Sequence, residues 1–457
     1  MNNKGLLLNR LGRFEKALAS YKKAIEIEPE SYEALNNQGE VLIKMGRLEQ
    51  ALASYDKALE IQPNLDLIFY NRGTALCMLG RFEEALASYD KAIEIQPNFY
   101  QVLSNRGIVL DSLGRFEEAI ASCNKAIEIQ PDYYQAWNNR GVAAGYSVSY
   151  DPLLASQSTI AKQNPELNKR GYEGKLVTYH EGLKHCLQQI HPQGWGKLHQ
   201  AIGNAHYSQA RKVSHPRDYW KQAANSYNQA LKTLTATDFP ELHLEVLQDL
   251  IPVRFDLGDI AKATELQRQG TDLLRDLLNK SQSSAKKQQL NSKFAGFQQF
   301  TVDLAVQSGN LVQALECAEA GKNACLSWIL GDESEVSPTW EEMKQLVKNY
   351  SAIVYWHLSP AALHTFILKP DSPLPISDNK CRDVAVQRLH KFENWVKDWN
   401  EKYANYRKGK DDNSRDEIKD WRNNLPELLE ELAKILDIPT IVSQITNNSI
   451  QNLKSKI

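Results

Sequence analysis

The feature that most constrains this chain is a repeat with a strict period of 34 residues. Four segments align without gaps: GRFEKALASYKKAIEIEP from Gly12, GRLEQALASYDKALEIQP from Gly46, GRFEEALASYDKAIEIQP from Gly80 and GRFEEAIASCNKAIEIQP from Gly114. A period of this length is typical of stacked helix pairs, because a single pair cannot bury its apolar face and each added pair extends a shared core. The first part of the chain is therefore predicted to be an α-solenoid.

The residues inside the repeat explain the period. In the repeat that begins at Tyr32, Leu35, Gly39 and Leu42 recur at helical spacing on a first helix, which Gly46 ends. The second helix carries small and aromatic residues on its inner face, and a proline closes the unit: Ala51, Tyr55, Ala58 and Pro63. The next two repeats hold the same places with Gly73, Ala85, Tyr89, Ala92 and Pro97, and with Gly107, Ala119, Cys123, Ala126 and Pro131. This pattern resembles the tetratricopeptide (TPR) consensus W-x2-L-G-x2-Y…A-x3-F…P, which implies that these residues are architectural.

The regular pattern is predicted to end in the fifth repeat. That repeat begins with Trp137 and Gly141 and then departs at GVAAGYSVSYDPLLASQS, a loop-like stretch. Beyond it we expect looser TPR-like helical hairpins formed by residues 199–210 with 219–234, 242–255 with 260–278, and 294–307 with 311–330. The polar run 280–289 is interpreted as a surface connection.

The C-terminal part changes character at Tyr350. SAIVYWHL and LHTFILK are apolar, β-rich runs on either side of Ser359–Ala362, so they predict a β-hairpin. Two helices are expected after it, over 381–407 and 416–436. A helical hairpin reading ALECAEAGKNACLSWIL followed by AIVYWHLSPAALHTFIL resembles the entry to a CHAT domain, a caspase-like module found downstream of bacterial TPR arrays. The resemblance covers about 314–436.

The resemblance to the CHAT family implies a His–Cys dyad, but this sequence lacks the family's PHG-like and SAC-like motifs. The remaining candidates, Cys325, Cys381, His357 and His364, are therefore interpreted as structural, and no catalytic residue or enzyme activity is predicted. The missing strands leave open that a partner chain completes the C-terminal sheet. Phosphate-binding and hydrolase motifs such as GxSxG and HExxH are also missing.

Composition excludes several classes of function. Lys+Arg number 54 against Asp+Glu 56, a net charge of −2, so the basic excess of nucleic-acid-binding proteins is missing. No apolar run is long enough to predict a membrane span, and no signal-peptide pattern precedes the repeats. The cysteines (Cys77, Cys123, Cys186, Cys317, Cys325 and Cys381) are scattered, which favours reduced thiols in a cytoplasmic protein. His180, His185, Cys186 and His191 match no zinc spacing, so neither a metal nor a cofactor is expected.

Two columns of polar residues recur on the first helices, which line the concave face of a TPR superhelix. An asparagine stands two residues before each helix glycine: Asn3, Asn37, Asn71, Asn105 and Asn139. Its amide offers a donor and an acceptor, as a peptide backbone does, so the column resembles the asparagine ladder of TPR superhelices that grip polypeptides. The alternative is a local hydrogen bond to the helix or to the neighbouring repeat. Arg72, Arg106 and Arg140 lie beside it and could meet a carboxylate or form inter-repeat ion pairs.

These observations predict a mostly α chain in which a TPR α-solenoid is followed by TPR-like helical hairpins and a small α+β C-terminal segment. The expected domains are the repeat array at 1–145, a divergent connector at 146–196, degenerate hairpins at 197–335 and a truncated CHAT-like segment at 336–457. The predicted function is a scaffold that binds other proteins or peptides in the concave groove through Asn37, Asn71, Asn105, Asn139 and the arginine column. Two alternatives remain: the regulatory half of a split CHAT protease, and a small-ligand sensor that uses residues 146–200.

Overall fold

A computed structural model of the chain describes residues 1–148, 151–281, 284–330, 339–347, 352–358, 363–369, 372, 375–377, 387–400, 425–439 and 441–442. The first four repeats are antiparallel helix pairs in which each first helix packs on the second helix of its own pair and on that of the pair before it. Their bounds are α1 Asn2–Arg10 and α2 Phe14–Ile27, α3 Tyr32–Lys44 and α4 Leu48–Ile61, α5 Asp66–Met78 and α6 Phe82–Ile95, and α7 Tyr100–Ser112 and α8 Phe116–Ile129. The predicted α-solenoid is confirmed.

The repeated glycines hold the two helices of each pair close together. A β-carbon added to Gly39 would come 2.5 Å from Cε1 of Tyr55, and the same relation joins Gly73 to Tyr89. Both tyrosine rings are buried, so neither can move aside without disturbing the core. The turn glycines differ, since Gly46 has a φ of +73° and open space around it, and they end the first helix in the left-handed conformation.

The fifth pair is formed despite the loop-like sequence after α9 (Tyr134–Tyr146). Its second helix is α12 (Gly171–His185), which packs on α9 and places Tyr179 against Gly141. Between them lie two short helices, α10 (Pro152–Gln157) and α11 (Thr159–Gln163), and a 3₁₀ turn at Pro165–Asn168. An insertion therefore separates the two helices of the fifth pair, which spans residues 134–185.

The chain divides into two compact units, Met1–Asp259 with Leu273–Leu290, and Ile260–Asp272 with Asn291–Ile457. In the first unit, α13 (Pro192–Ala210) and α14 (Arg217–Ala230) form a sixth hairpin, with Tyr227 over Gly203. Helix α15 (Pro240–Asp256) follows, and α16 (Ile260–Lys280) contributes to both units. Residues 280–289 are not simply a connection, because α17 spans Ser284–Lys293.

The second unit packs a small sheet on a helical hairpin of α18 (Gly296–Gln307) and α19 (Leu311–Leu330). Strands β1 (Ile353–Leu358) and β2 (Leu363–Leu368) are antiparallel, with His357 opposite His364, and a two-residue β3 (Ile376–Ser377) pairs with the other edge of β2. The predicted hairpin is thus present and has a third strand. Helix α20 (Trp340–Val347) joins the same core, and α21 (387–400) and α22 (Leu425–Ile435) follow.

These last two helices fall inside the predicted ranges 381–407 and 416–436. Residues 381–386, 401–407 and 416–424 of those ranges, with Cys381, lie outside the described residues, as does the side chain of Cys325.

Candidate functional site

Four of the five asparagines in the column, those at positions 37, 71, 105 and 139, lie on one face of the first helices, which we call the ladder face. Each amide nitrogen donates a hydrogen bond to the preceding repeat. The Nδ2 of Asn37 lies 2.9 Å from Oδ1 of Asn2, and that of Asn71 lies 2.9 Å from Oδ1 of Asn36. The Nδ2 of Asn105 donates to the Tyr70 hydroxyl at 3.3 Å, and that of Asn139 to the Ser104 hydroxyl at 3.0 Å. The local hydrogen bond that the sequence left open therefore exists at every step.

These bonds leave the other end of each amide available. The Oδ1 atoms of Asn37, Asn71, Asn105 and Asn139 accept no hydrogen bond from the described residues, and all four side chains are partly exposed. Because the inter-repeat hydrogen bond fixes the Nδ2 end of each side-chain amide, it also fixes the orientation of the Oδ1 atom at the other end. The result is a row of oriented acceptors with one acceptor in each repeat.

Further exposed side chains share the ladder face because residues four before, three after and seven after an asparagine lie on the same stripe of a helix. On α5 and α7 this stripe is apolar at three exposed positions: Leu67 at 48%, Met78 at 54% and Ile108 at 40% of full exposure. On α3 the same positions hold the charged residues Glu33, Glu40 and Lys44. The ladder face is thus charged on α3 and more apolar on α5 and α7.

The arginine column does not lie on the ladder face. One residue further along a helix is about 100° around its axis, and this turns the arginines toward the second helix of the preceding pair. The Nε of Arg72 lies 2.7 Å from Oδ1 of Asp56, and Arg106 makes the same bond to Asp90. Arg140 is completely enclosed and donates to Asn124, Thr178 and the Leu167 carbonyl. Arg72 and Arg106 thus form inter-repeat ion pairs, whereas the hydrogen-bond partners of Arg140 are neutral groups.

The clefts that these arginines cross form a second type of surface, between the second helices of successive repeats. The cleft between the first two repeats has a volume of about 580 Å³, and the equivalent cleft between the third and fourth repeats has about 270 Å³. In the first of these clefts Gln38 stands in place of the arginine and Lys22 in place of the aspartate, so these two positions cannot form the ion pair. Sequence reasoning treated the arginine column alone and missed the exception at Gln38.

The thiols and histidines that were weighed as chemical candidates are spread through the structure. Burial raises the pKa of the Cys123 and Cys186 thiols to about 12 and also raises the pKa of Cys77 and Cys317, so these thiols stay protonated. Of the loose His/Cys group around residue 185, Cys186 and His191 both contact Asp132, whereas His185 stacks on Trp137. Within the described residues, no group of three or more potential ligands could hold a metal ion.

The second unit contains a buried hydrogen-bonded contact between its sheet and helix α18. The Nε2 of His364 lies 2.5 Å from Oδ1 of Asp303 on α18, and both side chains are almost fully enclosed. The ring of His357 stacks beside His364, with ring centres 6.4 Å apart, and burial lowers the pKa of His357 to about 4. The contact of His364 with Asp303 attaches β2 to the helical hairpin. The CHAT resemblance and the partner chain that would complete the sheet stay predictions.

The paired helices, glycine contacts and asparagine column define a tetratricopeptide α-solenoid. Family models described as tetratricopeptide repeat match residues 1–64, 30–98 and 100–133. Among curated proteins, none matches the chain. None of the helices in the described part of the chain is both long and apolar enough to cross a lipid bilayer.

Several solved structures are similar to part of the chain. MamA is 21% identical, covering 40% of this chain and 93% of MamA with a TM-score of 0.32. YrrB, a TPR protein with an unusual peptide-binding site, is 24% identical, covering 46% of this chain and 90% of YrrB with a TM-score of 0.33. MamA 41-end from Desulfovibrio magneticus RS-1 is 19% identical, covering 41% of this chain and 94% of that protein with a TM-score of 0.33.

Proposed function

We propose that this chain is a protein-binding scaffold whose ladder face holds an extended polypeptide. The observation that carries the proposal is the row of oxygens on Asn37, Asn71, Asn105 and Asn139, which are oriented by inter-repeat bonds and accept none from the described residues. An extended peptide presents backbone N–H groups along its length, and each oxygen can accept one of them. Recognition of backbone groups tolerates many side-chain sequences, as a general scaffold requires.

The side chains of the bound segment are selected by the stripe around the ladder. Leu67, Met78 and Ile108 are exposed on the middle repeats, where they can bury apolar side chains of the ligand. Methionine suits this role because its unbranched side chain adapts to ligands of different shape. The preferred ligand is therefore an extended segment with apolar residues, flanked by polar residues where it crosses Glu33, Glu40 and Lys44. Arg140 is excluded from the site because it is enclosed.

The test begins with selection of a random-peptide display library on the full chain. Peptides that bind are labelled, and their dissociation constants are measured by fluorescence anisotropy. Replacing all four asparagines by alanine should weaken binding at least ~100-fold, because each lost hydrogen bond contributes about 1 kcal/mol.

A matched set of variants separates binding from architecture. Asn2→Ala, Asn36→Ala, Tyr70→Phe and Ser104→Ala remove the side-chain acceptors of the inter-repeat bonds and leave the ladder amides in place. The Ser104 carbonyl, 3.3 Å from Nδ2 of Asn139, also stays. This set should weaken binding less than about tenfold, since only the orientation of the amides is relaxed. Equal losses from the two sets would show that the ladder is architectural, and a library that yields no binder would remove the proposal altogether.

A further inference from the structure

The insertion in the fifth repeat places a short segment of the chain, residues 158–168, in the cleft between the fourth and fifth repeats. At its start, the backbone N–H groups of Thr159 and Ile160 donate to Oε1 of Glu128 at 2.6 and 3.3 Å. At its end, Leu167 is 1% exposed and belongs to the buried cluster that contains Ile127 and Trp137. One helical turn and one buried leucine thus hold this segment in place.

Two further hydrogen bonds orient the segment. The Nη2 of Arg140 donates to the Leu167 carbonyl at 2.8 Å, and the Nδ2 of Asn164 donates to Oε2 of Glu181 at 2.7 Å. The cleft therefore recognises four features: the amides at the start of a turn, a leucine side chain, the leucine carbonyl and a polar side chain between them. All four belong to the first compact unit.

The cleft between the first two repeats has the same construction. Three periods of 34 residues earlier, Glu26 stands in place of Glu128, Leu35 in place of Trp137 and Gln38 in place of Arg140. Tyr55 and Tyr179 are equivalent because they cover the equivalent glycines Gly39 and Gly141. Two residues after these tyrosines stand Lys57 in the second repeat and Glu181 in the fifth. All of these substitutes for the fifth-repeat residues line the cleft of about 580 Å³.

The groups of this first cleft are available to a ligand. The Gln38 Oε1 accepts the Ser54 hydroxyl hydrogen at 3.2 Å, whereas the Gln38 Nε2 makes no hydrogen bond with the described residues. It can donate to a carbonyl as Arg140 does. Glu26 and Lys57 are exposed and form no ion pair within the described part of the chain. Charge complementarity at Lys57 calls for an acidic ligand side chain, since Lys57 replaces the carboxylate that accepts from Asn164.

We propose that the cleft between the first two repeats binds a short peptide of a partner protein in the way that residues 158–168 occupy the fifth-repeat cleft. The peptide has one helical turn whose first amides meet Glu26, an acidic residue that faces Lys57, and a leucine that packs near Leu35 with its carbonyl on Gln38. This surface is separate from the ladder face, so the array can hold two segments at once.

The test uses a synthetic peptide that copies residues 158–168 with the change N164D, labelled for anisotropy and titrated with the full chain. Saturable binding is expected. The same peptide with L167A should bind at least ~10-fold more weakly because a buried leucine is lost. The peptide that keeps Asn164 should bind about threefold more weakly than the N164D peptide, because it lacks the partly exposed ion pair with Lys57. Neither comparison depends on how a protein variant folds.

Protein variants then locate the site. Lys57→Glu should reverse the relative affinities of the two peptides, so that the peptide with Asn164 binds more tightly than the N164D peptide. Lys125→Glu is the matched control, since Lys125 holds the equivalent place in the smaller third cleft; it should change neither affinity by more than about twofold. The alanine variant of the ladder should also leave this binding intact. The proposal is overturned if no saturable binding is seen at millimolar peptide. It is also overturned if Lys57→Glu leaves the affinities of both peptides unchanged.

Discussion

The ring of Tyr179 covers Gly141, where an added β-carbon would come 2.1 Å from Cε1 of the ring. This is the contact that Tyr55 makes with Gly39 and Tyr89 with Gly73, but here a whole insertion separates the two residues along the chain. Close approach at the glycine is therefore the feature that defines a pair, and the connection between the two helices can vary. Because the insertion is not needed to form the pair, it can occupy the cleft between the fourth and fifth repeats.

The glycine contact predicts that Gly73→Ala destabilises the array. The new methyl would lie 2.6 Å from Cε1 of the buried Tyr89 ring, so the two helices must separate or the ring must leave its place. The expected cost is about 1–3 kcal/mol, seen as a lower urea midpoint by far-UV circular dichroism. Ser112→Ala, at an exposed helical position, is the control and should leave the midpoint unchanged. A Gly73→Ala midpoint equal to that of the wild type would contradict the packing argument.

Two arginines of one column should differ in their importance for stability. Arg140 is fully buried, and Arg140→Ala leaves Asn124, Thr178 and the Leu167 carbonyl without their donor, at a cost on the order of 3 kcal/mol. Arg72 keeps a quarter of its side chain exposed, pairs with a half-exposed Asp56 and donates to the Ser88 hydroxyl at 2.7 Å, so Arg72→Ala should cost about 1 kcal/mol. Thermal unfolding of the two variants compares them directly. Equal costs would contradict the difference in burial.

Acid should weaken the first unit through His206. Burial and nearby His180 lower the pKa of His206 to about 4, and its Nδ1 lies 2.8 Å from the Tyr172 hydroxyl. The unfolded side chain binds a proton near pH 6.5, whereas the folded one stays neutral, so stability is full above pH 6.5 and falls as the pH is lowered toward 4. The decrease between pH 6.5 and pH 5 should be at most about 2 kcal/mol. His206→Gln should flatten this slope in melting curves, whereas His215→Gln, at an exposed position, should not.

The contact between Asp303 and His364 should anchor the sheet of the second unit. Asp303→Ala removes the buried carboxylate that His364 contacts on α18, which should destabilise the attachment by about 1–3 kcal/mol. Amide hydrogen exchange in β1 and β2 should then accelerate by roughly tenfold or more, while the repeat array keeps its protection. Lys434→Ala removes an exposed ion pair in the same unit and serves as the control. Unchanged exchange in the strands after Asp303→Ala would show that apolar packing alone holds the sheet.

The sequence by itself determined the helix pairs of the first four repeats and the positions of the asparagines. It could do so because this information is local: glycine, small residues and apolar spacing specify a helix pair, and the 34-residue period stacks the pairs in register. The β-hairpin followed for the same reason, since its two apolar runs flank a short turn.

Only the tertiary structure decided three further features. The fold pairs Tyr179 with Gly141 across the insertion, and it directs the arginine column away from the asparagines and into the clefts. It also places Leu167 in the cleft between the fourth and fifth repeats, whereas the equivalent cleft between the first two repeats is open. Each depends on which side chains meet between elements distant in the chain, and a periodic sequence pattern does not contain that information. The energy of burying one leucine or one guanidinium depends on the whole set of neighbours, and the fold alone brings that set together.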